Sequence, residues 1–124
     1  MFTKVGYLVF LTSLFASFYC PVEGAAYDNY GAIAYSKNTG AWGTSYNFST
    51  RSAAESHALR RCGRGDCRII VWFKNACGAL AVGDNGAFGW GWAGSRATAE
   101  AIALTECSAR ARGCHVRCWA CTDR

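Results

Sequence analysis

Apolar and small or polar positions alternate with period two in several stretches of this chain, and two others carry helical spacing. Within residues 77–92, Leu80 and Val82 alternate with Ala79 and Ala81. Asp84, Asn85 and Gly86 then supply turn residues that tolerate positive φ, and Phe88, Trp90 and Trp92 alternate with Gly89 and Gly91. This pattern predicts a β-hairpin. The same plan stands earlier as residues 31–36, a turn over 37–40, and a return strand over 41–48. A helix is predicted from Arg51 to about Cys62, with Ser49 or Thr50 as N-cap. Ala54, Ala58, Leu59 and Cys62 lie at helical spacing in it, Arg60 and Arg61 favour its C-terminal end, and Gly63 stops it. Residues 69–73 are apolar at every position, which predicts a central strand covered on both faces.

The second half repeats the first. Gly31 aligns with Gly78 at an offset of 47, the helices align at 45 (Glu55 with Glu100, Cys62 with Cys107), and Trp72 aligns with Trp119 at 47 again. Each unit is β-β-α-β, and the two complete one domain by burying each other's apolar faces. The predicted class is α+β, two β-β-α-β repeats (27–76 and 77–124) with internal pseudo-twofold symmetry, disulfide-stabilised. In the outer hairpin strands, Trp42, Thr44, Tyr46 and Phe48 oppose Gly43, Ser45 and Asn47, as Phe88, Trp90 and Trp92 oppose glycines. Both helices are rich in alanine, so they are expected on the small-residue face, where backbones approach closely. The aromatic face is then either the core between the repeats or an exposed platform for sugar rings or a partner protein.

Residues 1–26 read as a signal peptide: Lys4, an apolar core over 7–19, and Gly24-Ala25-Ala26 as the cleavage site. The core is too short and too interrupted for a membrane span, so no span is expected after cleavage. The remaining 27–124 make a single secreted or periplasmic domain. Removing one lysine and one glutamate with the signal leaves the net charge at +5, which favours solubility and weak binding to anionic surfaces without marking a nucleic-acid motif. Of eight cysteines, Cys20 falls in the signal. The repeat pairs Cys62 with Cys67 and Cys107 with Cys114. Elimination and their places at strand ends pair Cys77 with Cys121. Cys118 is left over: a free thiol buried in a monomer, bonded to a second copy in a Cys118-linked dimer, or exchanging with Cys121.

Residues 30–36 (Tyr-Gly-Ala-Ile-Ala-Tyr-Ser), the Cys62-x4-Cys67 spacing, residues 71–81 (Val-Trp-Phe-Lys-Asn-Ala-Cys-Gly-Ala-Leu-Ala), the glycine–tryptophan strand and Trp119-Ala-Cys121 together resemble a small secreted bacterial family catalogued only as a domain of unknown function. Its members occur in proteobacteria, actinobacteria and mycobacteria. The resemblance covers the chain beyond the signal and implies a secreted single domain, with no catalytic residue to carry over. Cys118 departs from the family pattern, which has an apolar strand residue there.

Candidate chemistry is sparse. Cys107, Cys114, Cys118 and Cys121, with His115, cluster in sequence at spacings that match no standard zinc signature, and no cofactor is expected. His57 neighbours Ser56 on a helix, where adjacent side chains diverge. Glu55 and Glu100 are repeat-equivalent carboxylates that could flank a pseudo-twofold cleft, or serve in surface ion pairs. Arg64-Gly65-Asp66 is an RGD tripeptide inside the Cys62–Cys67 loop, and glycine and aspartate are also ordinary turn residues. The sequence therefore points to a non-catalytic binding or effector module that engages a protein or cell-envelope ligand. The alternative is a small secreted hydrolase or enzyme inhibitor. Expected partner-binding residues are Trp42, Tyr46, Phe88, Trp90, Trp92, Arg60, Arg61 and Arg64.

Overall fold

The computed structural model describes residues 28–123. The predicted signal peptide lies outside the described residues. The chain runs β1 (Tyr30–Tyr35), β2 (Trp42–Phe48), α1 (Arg51–Cys62), β3 (Arg68–Lys74), then β4 (Cys77–Val82), β5 (Phe88–Ala93), α2 (Arg96–Ser108) and β6 (His115–Cys121). Each unit folds into its own three-stranded antiparallel sheet, ordered β2-β1-β3 and β5-β4-β6. The two sheets face each other, β1 across from β4, β2 from β6 and β3 from β5, with one helix on each outer face. The result is a four-layer α-β-β-α arrangement.

Small side chains set the helix-to-sheet spacing. Ala32 and Ala34 of β1 meet Ala54, Ala58 and Cys62 of α1, and Ala79 and Ala81 of β4 meet Ala99, Ala103 and Cys107 of α2. A Cβ at Gly43 would overlap the Ala58 carbonyl oxygen and the Cys62 amide nitrogen. One at Gly89 would overlap Ala103 and Cys107 in the same way. The helices thus lie on the glycine faces of the outer strands, as the alternation predicts. Thr50 and Ser95 cap them, accepting from the N–H groups of Ala53 and Thr98 at 3.1 and 3.3 Å. Gly63 ends α1 at φ 74°.

Larger apolar residues fill the space between the sheets: Ile33, Tyr35, Val71, Phe73, Leu80, Val82, Cys118 and Ala120. The Phe73 ring is wedged between Gly31 of one sheet and Gly78 of the other, where any Cβ would overlap it.

Three expectations need correction. β3 is an edge strand, and β1 and β4 are central. Residues 69–73 are apolar throughout because a bulge at Ile70 breaks the alternation. Ile69 packs on the helix side while Ile70, Val71 and Phe73 pack toward the other sheet. A second bulge, in β2 between Ser45 and Phe48, turns Phe48 to the helix side, where its ring lies 5.0 Å from His57. Phe88, expected among the partner-binding residues, packs edge-on against Tyr35 at 5.2 Å and joins the inter-sheet core, one of the two places open to the aromatic face.

Disulfides join Cys62 to Cys67, Cys107 to Cys114 and Cys77 to Cys121. The first two tie each helix end to the following strand. The third links register partners at the ends of β4 and β6.

Candidate functional site

The repeat relation maps one outer strand onto the other, residue by residue, at an offset of 46: Gly43 on Gly89, Thr44 on Trp90, Ser45 on Gly91, Tyr46 on Trp92. Beside each strand runs a cleft bounded by the unit's own helix. In unit one Thr44, Ser45, Tyr46, His57 and Arg61 line it, and in unit two Trp90, Gly91, Trp92, Ile102 and Glu106. His57 and Ile102, like Arg61 and Glu106, are repeat equivalents. The two clefts share a backbone and differ in chemistry.

Between β3 and β5 the sandwich opens into a slot of about 510 Å³, floored by Ile70, Val71 and Phe73 and walled by Trp90 and Trp92. Trp90 remains 43% exposed and Trp92 56%, although both point to the inter-sheet side, because β5 is an edge strand and no described residue beyond it covers them. The equivalent edge, β2 against β6, has Thr44 for Trp90, Arg117 for Ile70 and Ala120 for Phe73. It is pinned shut at one end, where Asn47 donates from Nδ2 to the Asp123 carboxylate at 3.1 Å and accepts from its N–H at 2.8 Å. The apolar slot is therefore a property of one edge only.

The Trp92 end of the slot reaches Lys74, which pairs with Asp28 at 3.0 Å. That hydrogen bond lowers the Asp28 pKa and raises that of Lys74. At the other end, Lys37, Arg68 and Arg110 line clefts that share Phe88 or Trp90. Lys37 and Arg68 form no ion pair among the described residues.

The structure does not bring the expected binding residues into one surface. Trp42 and Tyr46 are exposed, but on β2, at the edge opposite Trp90 and Trp92. Arg60 and Arg64 are exposed on the end of α1 and the loop after it, and Arg61 borders the polar cleft.

Glu55 and Glu100 flank no common cleft. Each holds an arginine of its own helix, Arg51 Nε to Glu55 and Arg96 Nε to Glu100, both at 2.8 Å. Those guanidinium groups lie over Trp72 at 4.3 Å and Trp119 at 3.8 Å, fixing each helix start to the last strand of its unit.

Asp66 of the RGD tripeptide is also engaged internally. Its carboxylate accepts from Ser36 Oγ and Asn38 Nδ2, both at 2.8 Å, tying the disulfide loop to the β1–β2 turn. The Ser36 bond is the main cause of its lowered pKa.

Cys118 is buried in the inter-sheet core, whereas Cys77 and Cys121 belong to the helix-side cluster. Exchange with Cys121 across the sheet is thus excluded by geometry, and a Cys118-linked dimer would require the core to open. Burial pushes the thiol pKa up to about 12, so the reactive thiolate is suppressed. The four-cysteine metal reading fails on the same contacts: Cys107, Cys114 and Cys121 are all in disulfides.

Comparison with known proteins adds a family and a fold without an activity. DUF4189, a domain of unknown function, matches residues 30–121. Protein Rv1269c of Mycobacterium tuberculosis is 44% identical over 96 residues, covering 77% of this chain and 72% of that protein. The uncharacterized protein Rv1813c of the same organism is 37% identical over 94 residues, 75% of this chain and 60% of its own. The NMR structure of Rv1813c superposes with a TM-score of 0.58 at 32% identity, covering 82% of this chain and 80% of that one.

Proposed function

The chain belongs to the DUF4189 family, and we propose that it acts as an exported, disulfide-stabilised, non-catalytic binding module whose ligand-contacting surface is the tryptophan-walled slot between β3 and β5. One observation carries the reading. The residues shared by the two units account for the fold, whereas the slot is built from residues that differ between them: Trp90 against Thr44, Ile70 against Arg117, Phe73 against Ala120. Both edges expose aromatics, Trp42 and Tyr46 at one and Trp90 and Trp92 at the other, but only the β5 edge backs them with an apolar slot. That difference calls for a reason outside folding. Tryptophan in a concave, partly desolvated setting is the residue type that most often anchors a partner.

Three disulfides are compatible with an extracellular or periplasmic location. No helix among the described residues is long and apolar enough to cross a membrane. Export itself rests on the signal-like residues 1–26 and is tested by N-terminal sequencing of protein recovered from medium or periplasm. A start near Tyr27 is expected, and a retained Met1 would sink the claim. The non-catalytic reading is supported by what the candidate groups already do. His57 packs on Phe48, Ser45 Oγ donates to the Ala54 carbonyl at 2.7 Å, and both repeat-equivalent glutamates hold arginines.

The direct test is a capture experiment comparing the domain with Trp90→Ala/Trp92→Ala. The double variant should fold and lose the specifically captured ligands. An unchanged captured set would overturn the assignment of the surface.

A further inference from the structure

Resting on that reading of the slot, we propose that β5 receives an added β-strand: an extended segment of a partner protein, apolar at alternate positions and acidic at one end. The alternation of hydrogen bonds along β5 points to this mode. In an antiparallel ladder, residues that bond the neighbouring strand alternate with residues whose N–H and C=O point away from it. The Gly83 N–H donates to the Ala87 carbonyl at 2.9 Å, so Ala87 and, two by two, Gly89, Gly91 and Ala93 face β4. Phe88, Trp90 and Trp92 then face outward. Arg110 Nη1 reaches the Phe88 carbonyl at 3.3 Å from that outer side. The free edge is thereby limited to Trp90 and Trp92, which present main-chain donors and acceptors at the positions that also present indoles.

An incoming strand would find both components of strand-addition recognition. Main-chain bonds to Trp90 and Trp92 supply sequence-tolerant affinity. Alternate side chains would enter the slot over Ile70 and Phe73, while the others would lie toward Ile102 and Glu106. A sugar would instead need a set of hydroxyl-binding polar groups, donors and acceptors, around the rings. Besides the indole N–H donors of Trp72, Trp90 and Trp92, the described lining of the slot offers only Lys74, already paired with Asp28.

Charge selects the occupant. At the Phe88 end Lys37 and Arg68 have no ion pair among the described residues, while Arg110 pairs with Glu106 at 3.7 Å and Asp66 is held by Ser36 and Asn38. The two unpaired cations favour an acidic terminus there. A second copy pairing antiparallel through its own β5 would set that cationic end against the partner's Lys74 end. It would also bring together two chains of net charge +5.

The probe is a synthetic peptide alternating valine with threonine and ending in two glutamates, followed by amide hydrogen exchange and indole NMR shifts on the intact mature domain. Slowed exchange at the Trp90 and Trp92 amides is expected. N-methylation of the peptide's strand-facing amides should weaken binding by about tenfold or more. Replacing the glutamates by glutamines should weaken it further and flatten its salt dependence. Unchanged exchange at both amides overturns strand addition. Equal binding of the N-methylated peptide with shifted indoles overturns it too, while leaving the slot as a side-chain binding surface. Protection already present without peptide and growing with protein concentration, together with a dimer in sedimentation, would replace the partner segment by a second copy. The parent reading fails separately, when alanines at Trp90 and Trp92 leave the captured ligands unchanged.

Discussion

The β2 edge and the β5 edge are the same piece of structure made twice, and only one of them opens into an apolar slot. Both lay a small-residue face on a helix with no room for a Cβ at Gly43 or Gly89, and both helices are stapled by an arginine between a glutamate and a tryptophan. What differs is the side that faces away from the helix: Thr44 and Arg117 at one edge, Trp90 and Ile70 at the other. An internal repeat thus works as a control within one molecule. Features present in both units are explained by folding, and a feature present in one needs a separate cause.

The comparison is broken most severely at the strand ends. Cys77 and Cys121 occupy the positions of Tyr30 and Lys74, so unit two closes covalently what unit one closes with a lysine over an aromatic ring at 5.9 Å. The Cys77–Cys121 separation is 44 residues, against 5 for Cys62–Cys67. On loop-closure entropy the long link contributes about 4 kcal/mol and the short one about 2. Replacing Cys77 and Cys121 by alanine should therefore lower denaturant stability about twice as much as replacing Cys62 and Cys67. Equal losses would show that both units depend on their cross-links alike.

Next come the shared glycines. Gly43→Ala and Gly89→Ala would each place a methyl group onto helix backbone, which cannot rotate away. Each should cost about 3 kcal/mol, by pushing helix from sheet. Chemical denaturation of the two variants should give the same loss within error, because the close approach is common to both repeats. A tolerated Gly89→Ala would mean that unit two packs its helix more loosely than unit one.

Much of this scaffold is readable in the residues. Gly89 and Gly91 alternating with Trp90 and Trp92 fix which face meets the helix, and the paired cysteines follow from the repeat register. The order of strands is less visible. β1 and β4 are central yet carry Gly-Ala-Ile-Ala and Gly-Ala-Leu-Ala, since a helix packed close to a sheet requires alanine there. Hydrophobic counting consequently favours residues 69–73, an edge strand made apolar throughout by its bulge. The site is harder still. The tryptophan stripe is plain, but its exposure depends on β5 being an edge, and the slot's far wall comes from β3 in the other unit. Phe88 and Phe48 illustrate the same limit: one is covered by Tyr35 across the sheets, the other is turned over by a bulge.

A smaller effect concerns the loops that close each unit. In unit one Asp66 of the disulfide loop reaches back to Ser36 and Asn38 of the hairpin turn. In unit two the carboxylate is on the turn, where Asp84 lies against Gly113 of the loop, and its N–H donates to Arg112 at 2.9 Å. The Asp66 pKa is lowered from 3.8 chiefly by the Ser36 hydroxyl. A depressed native pKa contributes stability that is fully present above the unfolded value and lost as pH falls through the native one. Asp66→Asn should accordingly be less stable than the parent at neutral pH, and the gap should close as melting is followed below pH 3.8. A gap that persists unchanged to lower pH would assign the effect to lost geometry rather than to the charge.

The smallest effect on stability is the most informative one. Trp90→Thr with Ile102→His writes the unit-one residues into the unit-two edge, at positions that are exposed. If these residues serve a partner, the fold has no use for them, and the exchange should shift stability by no more than about 0.5 kcal/mol per site. Ligand capture should nevertheless be lost. The reverse exchange, Thr44→Trp with His57→Ile, should also be tolerated and should not create binding, because Arg117 and Ala120 stand where the slot needs Ile70 and Phe73. Thermal melts of the two exchanged domains, run beside capture assays, separate the alternatives. A large loss of stability from Trp90→Thr alone would show that the indole holds the sheets together at this edge, and the asymmetry would then belong to folding after all.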